Sequence, residues 1–206
     1  MKIGVLASQG AFAEHIATLK RLGVEAVPVR LPADLKGIDG LIIPGGESTA
    51  ISKLLLAYKL SDEIRKLAKK GLPIWGTCAG MIMLADTLPG STVEPLGLIH
   101  ISVKRNAFGR QKESFETDIS IPALGKKPFH AVFIRAPAID ECGGNVEALA
   151  RLDDGTVVAA REGNLLTTAF HPELTDDTRF HEYFLKMVEQ QKTSLEYSYL
   201  TNASER

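Results

Sequence analysis

Cys78 stands in Gly76-Thr77-Cys78-Ala79-Gly80, two residues from a glycine on either side. The apolar run Leu72-Pro73-Ile74-Trp75 before it reads as a buried strand, and Ala79 to Ala85 reads as the start of a helix. A strand that turns into a helix through one residue holds that residue in a strained, exposed turn. The crowded flanking positions then favour residues without a Cβ, which Gly76 and Gly80 supply. This is the cysteine counterpart of the strand–nucleophile–helix elbow. It also puts the sulfur at a helix N-terminus, where the macrodipole favours the reactive thiolate. The competing reading is a small apolar cysteine buried in a tight turn.

A cysteine nucleophile needs a base, and the base needs an acceptor to orient it. Five histidines compete. His15 and His181 fall in amphipathic helical patterns and read as solvated or core-edge residues. His100 and His130 have no acidic residue at a useful sequence spacing. His171 ends a strand, with Glu173 two residues on, and side chains at i and i+2 of an extended segment point to the same side. Pro172 between them restricts the local backbone. A surface turn is the alternative there. Pro44-Gly45-Gly46-Glu47-Ser48-Thr49 also joins a strand to a helix. It lacks the spacing and the lysine of a phosphate loop. Its glycines allow a backbone N–H to face a cleft as an oxyanion donor, and Ser48 is placed to cap the helix.

The surrounding pattern supplies the frame. Strands at Lys2–Leu6, Glu25–Val29 and Leu41–Ile43 alternate with helical patterns at 11–22, 49–57 and 61–70, which predicts a parallel sheet covered by helices. From about Thr92 to Arg161 several short β-like runs (115–121, 132–134, 156–160) suggest an antiparallel extension within one domain. A strand at Leu165–Phe170 leads to His171, and a last helix runs to about Gln191. The domain is expected to span 1–191, with 192–206 a polar, mobile tail.

Length and composition fit a single α/β domain of 206 residues, 45% apolar, with 24 basic and 25 acidic residues. That balance gives no reason to expect nucleic acid or an anionic membrane as partner. Two cysteines are too few for a disulfide framework. There is no signal-peptide core or membrane-length apolar run, so a cytoplasmic location is expected. No His/Cys/Asp cluster has metal-ligand spacing.

With the elbow, the Gly-Gly loop and the His-x-Glu pair in this order, the chain resembles class I glutamine amidotransferases, the Cys-His-Glu glutaminases. The strings Pro44–Thr49, Arg105-Asn106-Ala107-Phe108-Gly109-Arg110-Gln111 and Val132-Phe133-Ile134-Arg135-Ala136-Pro137 are similar to one branch, the glutaminase subunits of pyridoxal 5′-phosphate synthase. The resemblance implies a flavodoxin-like fold, with Cys78 as nucleophile, His171 as base and acid, and Glu173 as orienting carboxylate. It implies glutamine bound against Gly46, Glu47, Ser48, Arg105, Ile134 and Arg135, and an oxyanion held by Gly46 and Ala79. Glu47 with either arginine offers charges opposite to those of the glutamine α-groups, and an arginine can fork a carboxylate. No cofactor or metal is implied. The implied partner is a synthase subunit that receives the ammonia and docks around Gln9-Gly10 and the first helix. Glutaminases with other biosynthetic partners, and a non-enzymatic regulatory subunit, are the rival readings; the Arg105–Gln111 string and the intact triad weigh against them.

Overall fold

The computed structural model describes residues 1–7, 10–109 and 114–204. Gln9, at the centre of the expected docking surface, and Arg110-Gln111, which close one diagnostic string, lie outside the described residues.

The chain begins with β1 (Lys2–Leu6), α1 (Phe12–Arg21), β2 (Glu25–Val29), β3 (Gly40–Ile43), α2 (Ser48–Ala57), α3 (Leu60–Lys69), β4 (Ile74–Thr77) and the short α4 (Ala79–Leu84). β1 pairs in parallel with β2 and β3, and β3 with β4. Ile3, Val5, Leu41, Ile42, Ile43, Ile74 and Trp75 are fully inaccessible. Continuous burial of this kind is what a parallel sheet covered on both faces requires.

The middle of the chain contributes β5 (Ala85–Thr87), β6 (Ile99–Lys104), β7 (Ser114–Ile119), β8 (Phe129–Ile134), β9 (Ala138–Cys142), β10 (Glu147–Arg151) and β11 (Val157–Glu162). Then β12 (Leu165–Thr168) returns to pair in parallel with β4, and α5 (Arg179–Ser204) closes the fold. The ten-stranded sheet has the order β2-β1-β3-β4-β12-β11-β9-β6-β5, with β10 added alongside β11. β11 is antiparallel to β12, β9 and β10, so the sheet is parallel on one side and mixed on the other. β7 and β8 form a separate antiparallel pair. The expected extension is therefore present, and it includes strands β6, β9 and β10, which the sequence reading leaves out; β9 and β10 are short and rich in charged residues, whereas β6 alternates apolar and polar residues as a half-buried strand does.

α5 packs on the parallel side through Phe180, Phe184 and Val188, all fully buried. Trp75 of β4 stacks on Phe180 with ring centroids 6.1 Å apart. The helix does not stop near Gln191 but continues to Ser204. Its later turns are rich in polar residues, so the apolar periodicity that marks a packed helix gives no sign of them.

Candidate active site

The elbow has the predicted strained backbone, but Cys78 is buried where an exposed turn was expected. Cys78 follows β4 with φ 49° and ψ −107°, a left-handed conformation that non-glycine residues rarely adopt. A Cβ on Gly76 would lie 2.5 Å from the Gly80 carbonyl, and one on Gly80 would lie 1.8 Å from the Ile43 oxygen. Both flanking glycines are thus set by close backbone approach. The Cys78 N–H donates to the Thr168 carbonyl at 2.8 Å, tying the elbow to β12. α4 has only six residues, so its dipole is a smaller influence on the sulfur than the neighbouring histidine.

That histidine arrives from the next strand. β12 lies beside β4 with Thr168 opposite Thr77, so the chain beyond Thr168 reaches the same end of the sheet as Cys78. The His171 N–H donates to the Val132 carbonyl of β8 at 2.9 Å, and Nδ1 faces Glu173 Oε1 at 2.7 Å. This leaves Nε2 for the sulfur. Cys78, His171 and Glu173 are only 7%, 7% and 5% exposed. Burial opposes a charged ring, but hydrogen bonds to the Cys78 sulfur and to Glu173 outweigh it, and His171 is pushed up to about 10. Burial likewise opposes the Glu173 carboxylate, yet the histidines around it hold it below the usual range. The three groups are arranged as a charged imidazole between a sulfur and a carboxylate.

The Gly-Gly loop closes over this pair. A Cβ on Gly45 would come within 2.5 Å of His171 Cε1 and 3.2 Å of the Cys78 Cβ, so only glycine lets the loop approach. The Gly45 N–H is already taken by Thr77 Oγ1 at 3.1 Å. Ala79 opens α4, where the first N–H groups have no partner within the helix. Gly46, with φ 153°, and Ala79 both line the cleft with Cys78.

Nine of the ten expected site residues, Cys78, Ala79, His171, Gly46, Glu47, Ser48, Arg105, Ile134 and Arg135, line one cavity of about 280 Å³. The tenth, Glu173, lies buried behind His171. Gly10, Ala11, Gly45, Ile82 and Asn106 line it too, and of these Gly10, Gly45 and Asn106 stand in motifs that the sequence singles out. One expectation needs correction. Glu47, not Ser48, caps α2: its carboxylate accepts the N–H groups of Thr49 at 3.0 Å and Ala50 at 2.8 Å, while Ser48 is buried. Those two bonds, with Arg105 nearby, hold Glu47 below the ordinary carboxylate range. Arg105 Nη2 lies 3.6 Å from Glu47 Oε1 and its Nη1 3.4 Å from Ser91 Oγ. Arg135 differs. It is exposed, has no ion-pair partner among the described residues, and holds a strained φ of 44°.

The other histidines also depart from expectation. His15 and His181 are not solvated but wholly buried. His100 and His130 do have carboxylate partners, Glu162 at 2.7 Å and Glu116 and Asp118 at 2.8 and 2.9 Å. Those pairs form across strands and loops, so sequence spacing could not reveal them.

Against known proteins, residues 5–190 match the model of the SNO glutamine amidotransferase family. The chain belongs to this family. It is 60% identical to the pyridoxal 5′-phosphate synthase subunit PdxT of Herpetosiphon aurantiacus over 90% of its length and 99% of that protein. It is 58% identical to the PdxT subunit of Moorella thermoacetica over 91% of its length and all of that protein. Among solved structures, one described as a glutamine amidotransferase superposes with a TM-score of 0.86 at 50% identity, covering 91% of this chain and 98% of the other. The chain is therefore a glutamine amidotransferase, and its fold is that of the family.

Proposed function

We propose that the chain is the glutaminase subunit of a pyridoxal 5′-phosphate synthase, hydrolysing L-glutamine to L-glutamate and passing the ammonia to a synthase subunit. The observation that carries this reading is Cys78 at a strained elbow facing a buried His171–Glu173 pair, within a cleft lined by Arg135, which has no ion-pair partner among the described residues. The Cys78 sulfur attacks the side-chain amide carbon, and the N–H groups of Gly46 and Ala79 receive the oxyanion. His171 gives its proton to the leaving nitrogen, so ammonia departs and a thioester remains. It then takes a proton from water, whose oxygen attacks the thioester carbonyl, and glutamate and the free thiol are released. Glu173 holds the ring in orientation throughout.

Arg135 takes the α-carboxylate of glutamine in this reading. Glu47, fixed by two backbone donors, keeps the remainder of its charge for the α-ammonium and shares it with Arg105; Ser48 and Ile134 complete the wall. The site calls for no cofactor or metal, and the location is cytoplasmic. No helix among the described residues is long and apolar enough to cross a membrane. The amidotransferase domain is 1–191, with the rest of α5 an extension of it.

The partner governs turnover. The Gly45-Gly46 peptide is free of side-chain restraint, and a Cβ on Gly10 would meet the Gly45 oxygen at 2.0 Å, so the segment before α1 presses directly on the oxyanion loop. Docking around α1 is placed to set that loop. The test compares glutamate release by the free chain and by its complex with the synthase subunit. Much faster release in the complex, with ammonium salts replacing the chain in product formation, is the expected result. Equal turnover free and bound defeats the coupling, and no glutamate release in either defeats the function.

A further inference from the structure

Behind the triad lies a pair of histidines that the mechanism above does not use. His15 of α1 and His181 of α5 are both 0% exposed. His15 Nδ1 is 2.9 Å from His181 Nε2, and His15 Nε2 is 3.3 Å from both Glu173 Oε2 and Thr77 Oγ1. Trp75 walls the pair in, its ring meeting each imidazole edge-on with centroids 5.4 and 5.0 Å apart. Glu173 thus has two environments: Oε1 receives His171 Nδ1–H, while the fully buried Oε2 has no well-formed hydrogen bond and looks toward His15.

We propose that His15 is a positioning residue of the triad, its Nε2–H holding the second oxygen of Glu173, and that His181 fixes the His15 tautomer that makes this possible. The inference rests on the glutaminase reading for its purpose but not for its geometry. Burial favours the neutral form of both rings. A neutral imidazole carries a single N–H. Were that proton on His15 Nδ1, a lone pair at Nε2 would face the Glu173 carboxylate in a site closed to water, which is repulsive. With the proton on Nε2, Nδ1 becomes an acceptor, and His181 Nε2–H is the donor 2.9 Å away. His181 Nδ1 is then a bare lone pair, in agreement with its finding no partner among the described residues. An unfilled acceptor is the more tolerable end for such a chain, since orphaned buried N–H groups are the rarer kind.

The proton order therefore runs from α5 through α1 to the triad carboxylate. The better-formed hydrogen bond of His15 Nε2 is to Thr77 Oγ1 at 3.3 Å, so this N–H is shared between Thr77, which also accepts the Gly45 N–H, and the Glu173 carboxylate at the same distance. One ring thus touches the carboxylate of the triad and the residue before the nucleophile, and through Thr77 it reaches the oxyanion loop.

The experiment uses the complex with the synthase subunit, in a Cys142→Ser background so that Cys78 is the sole thiol of this chain, on whose peptides alkylation is read. Glutamate release and the rate of Cys78 alkylation by iodoacetamide are measured for His15→Leu, His15→Gln, His181→Leu and the His15→Gln/His181→Leu double variant. His15→Leu should lower kcat on the order of tenfold or more with KM for glutamine nearly unchanged, and should slow alkylation. His15→Gln, whose amide N–H can replace Nε2–H, should recover most of both. His181→Leu should give a smaller loss that vanishes in the double variant, because an amide donor needs no tautomer set for it. Should His15→Leu fail to fold, the glutamine and His181 variants decide alone. Wild-type kcat and alkylation in folded His15→Leu or His181→Leu, or no recovery by glutamine, overturns the proposal. A complex without glutaminase activity would defeat the functional reading, and the alkylation rates would still decide this one.

Discussion

His171 and His100 each hold a carboxylate at 2.7 Å, one in the cleft at the end of the parallel strands and the other at the far edge of the sheet. The bond length is the same and the surroundings are opposite. The His171 side chain is 9% exposed with a wholly buried carboxylate, whereas the His100 side chain is 69% exposed. Both rings are raised above the ordinary histidine value. For His100 the Glu162 hydrogen bond comes first and burial counts for little; for His171 burial is the largest influence, and sulfur and carboxylate must overcome it. A carboxylate–imidazole pair in water is screened and contributes little. Enclosed beside a sulfur, the same pair is arranged as the proton carrier of the proposed glutaminase reaction requires. Enclosure and the third partner, not the contact, distinguish the two.

The sharpest way to break this comparison is to remove each group in turn. Cys78→Ser and His171→Asn should abolish glutamate release while leaving the fold intact, as read by circular dichroism and melting temperature. Glu173→Gln should retain a residue of activity, falling on the order of 10⁴-fold, the scale for loss of a triad's orienting carboxylate. His100→Ala and Cys142→Ser should be silent. Loss of activity in His100→Ala would make the exposed pair part of the chemistry and undo the distinction.

Next in size is the contrast between the two arginines of the cleft. Arg135→Ala should raise KM for glutamine by about tenfold or more, the scale of one lost charge-assisted contact, and Arg135→Lys should recover little because the planar fork is lost. Arg105→Ala should do less, because Arg105 already leans on Glu47 and Ser91. Steady-state kinetics that rank the two the other way would transfer the α-carboxylate to Arg105.

The smallest effect is the pH dependence of stability. His171 is raised in the folded protein, so its contribution is fully present below the unfolded value of about 6.5 and is lost as pH rises toward about 10. Glu173 is lowered, so its contribution holds above the ordinary carboxylate value and is lost as pH falls below it. Denaturant unfolding should show a decline in stability between pH 6.5 and 10 that His171→Asn largely removes. An unchanged slope in that variant would assign the decline to other groups.

The parallel half of the fold and the grouping of Cys78, His171 and Glu173 are legible because their signals are local. β1 and β2 are contiguous apolar runs, the elbow is five consecutive residues, and His171 and Glu173 are two apart. What escaped depends on contacts between distant segments. His15 and His181 are separated by 166 positions and meet only because α1 and α5 flank the same Trp75. Glu116, Asp118 and His130 meet across the β7–β8 pair, and Glu162 reaches His100 from another strand. Ser48 and Glu47 are adjacent, and either could cap a helix; the cap is Glu47, whose longer side chain reaches two N–H groups, while Ser48 lines the cleft, shielded from solvent.

The central claim is that Cys78 forms a covalent bond to the glutamyl carbon during turnover. Its most direct test is acid quenching of the working complex with labelled glutamine, followed by mass spectrometry of the cysteine peptides. A glutamyl thioester on Cys78, absent from Cys142 and from the Cys78→Ser variant, is the predicted result. Label on Cys142, or undiminished glutamate release by Cys78→Ser, would contradict it.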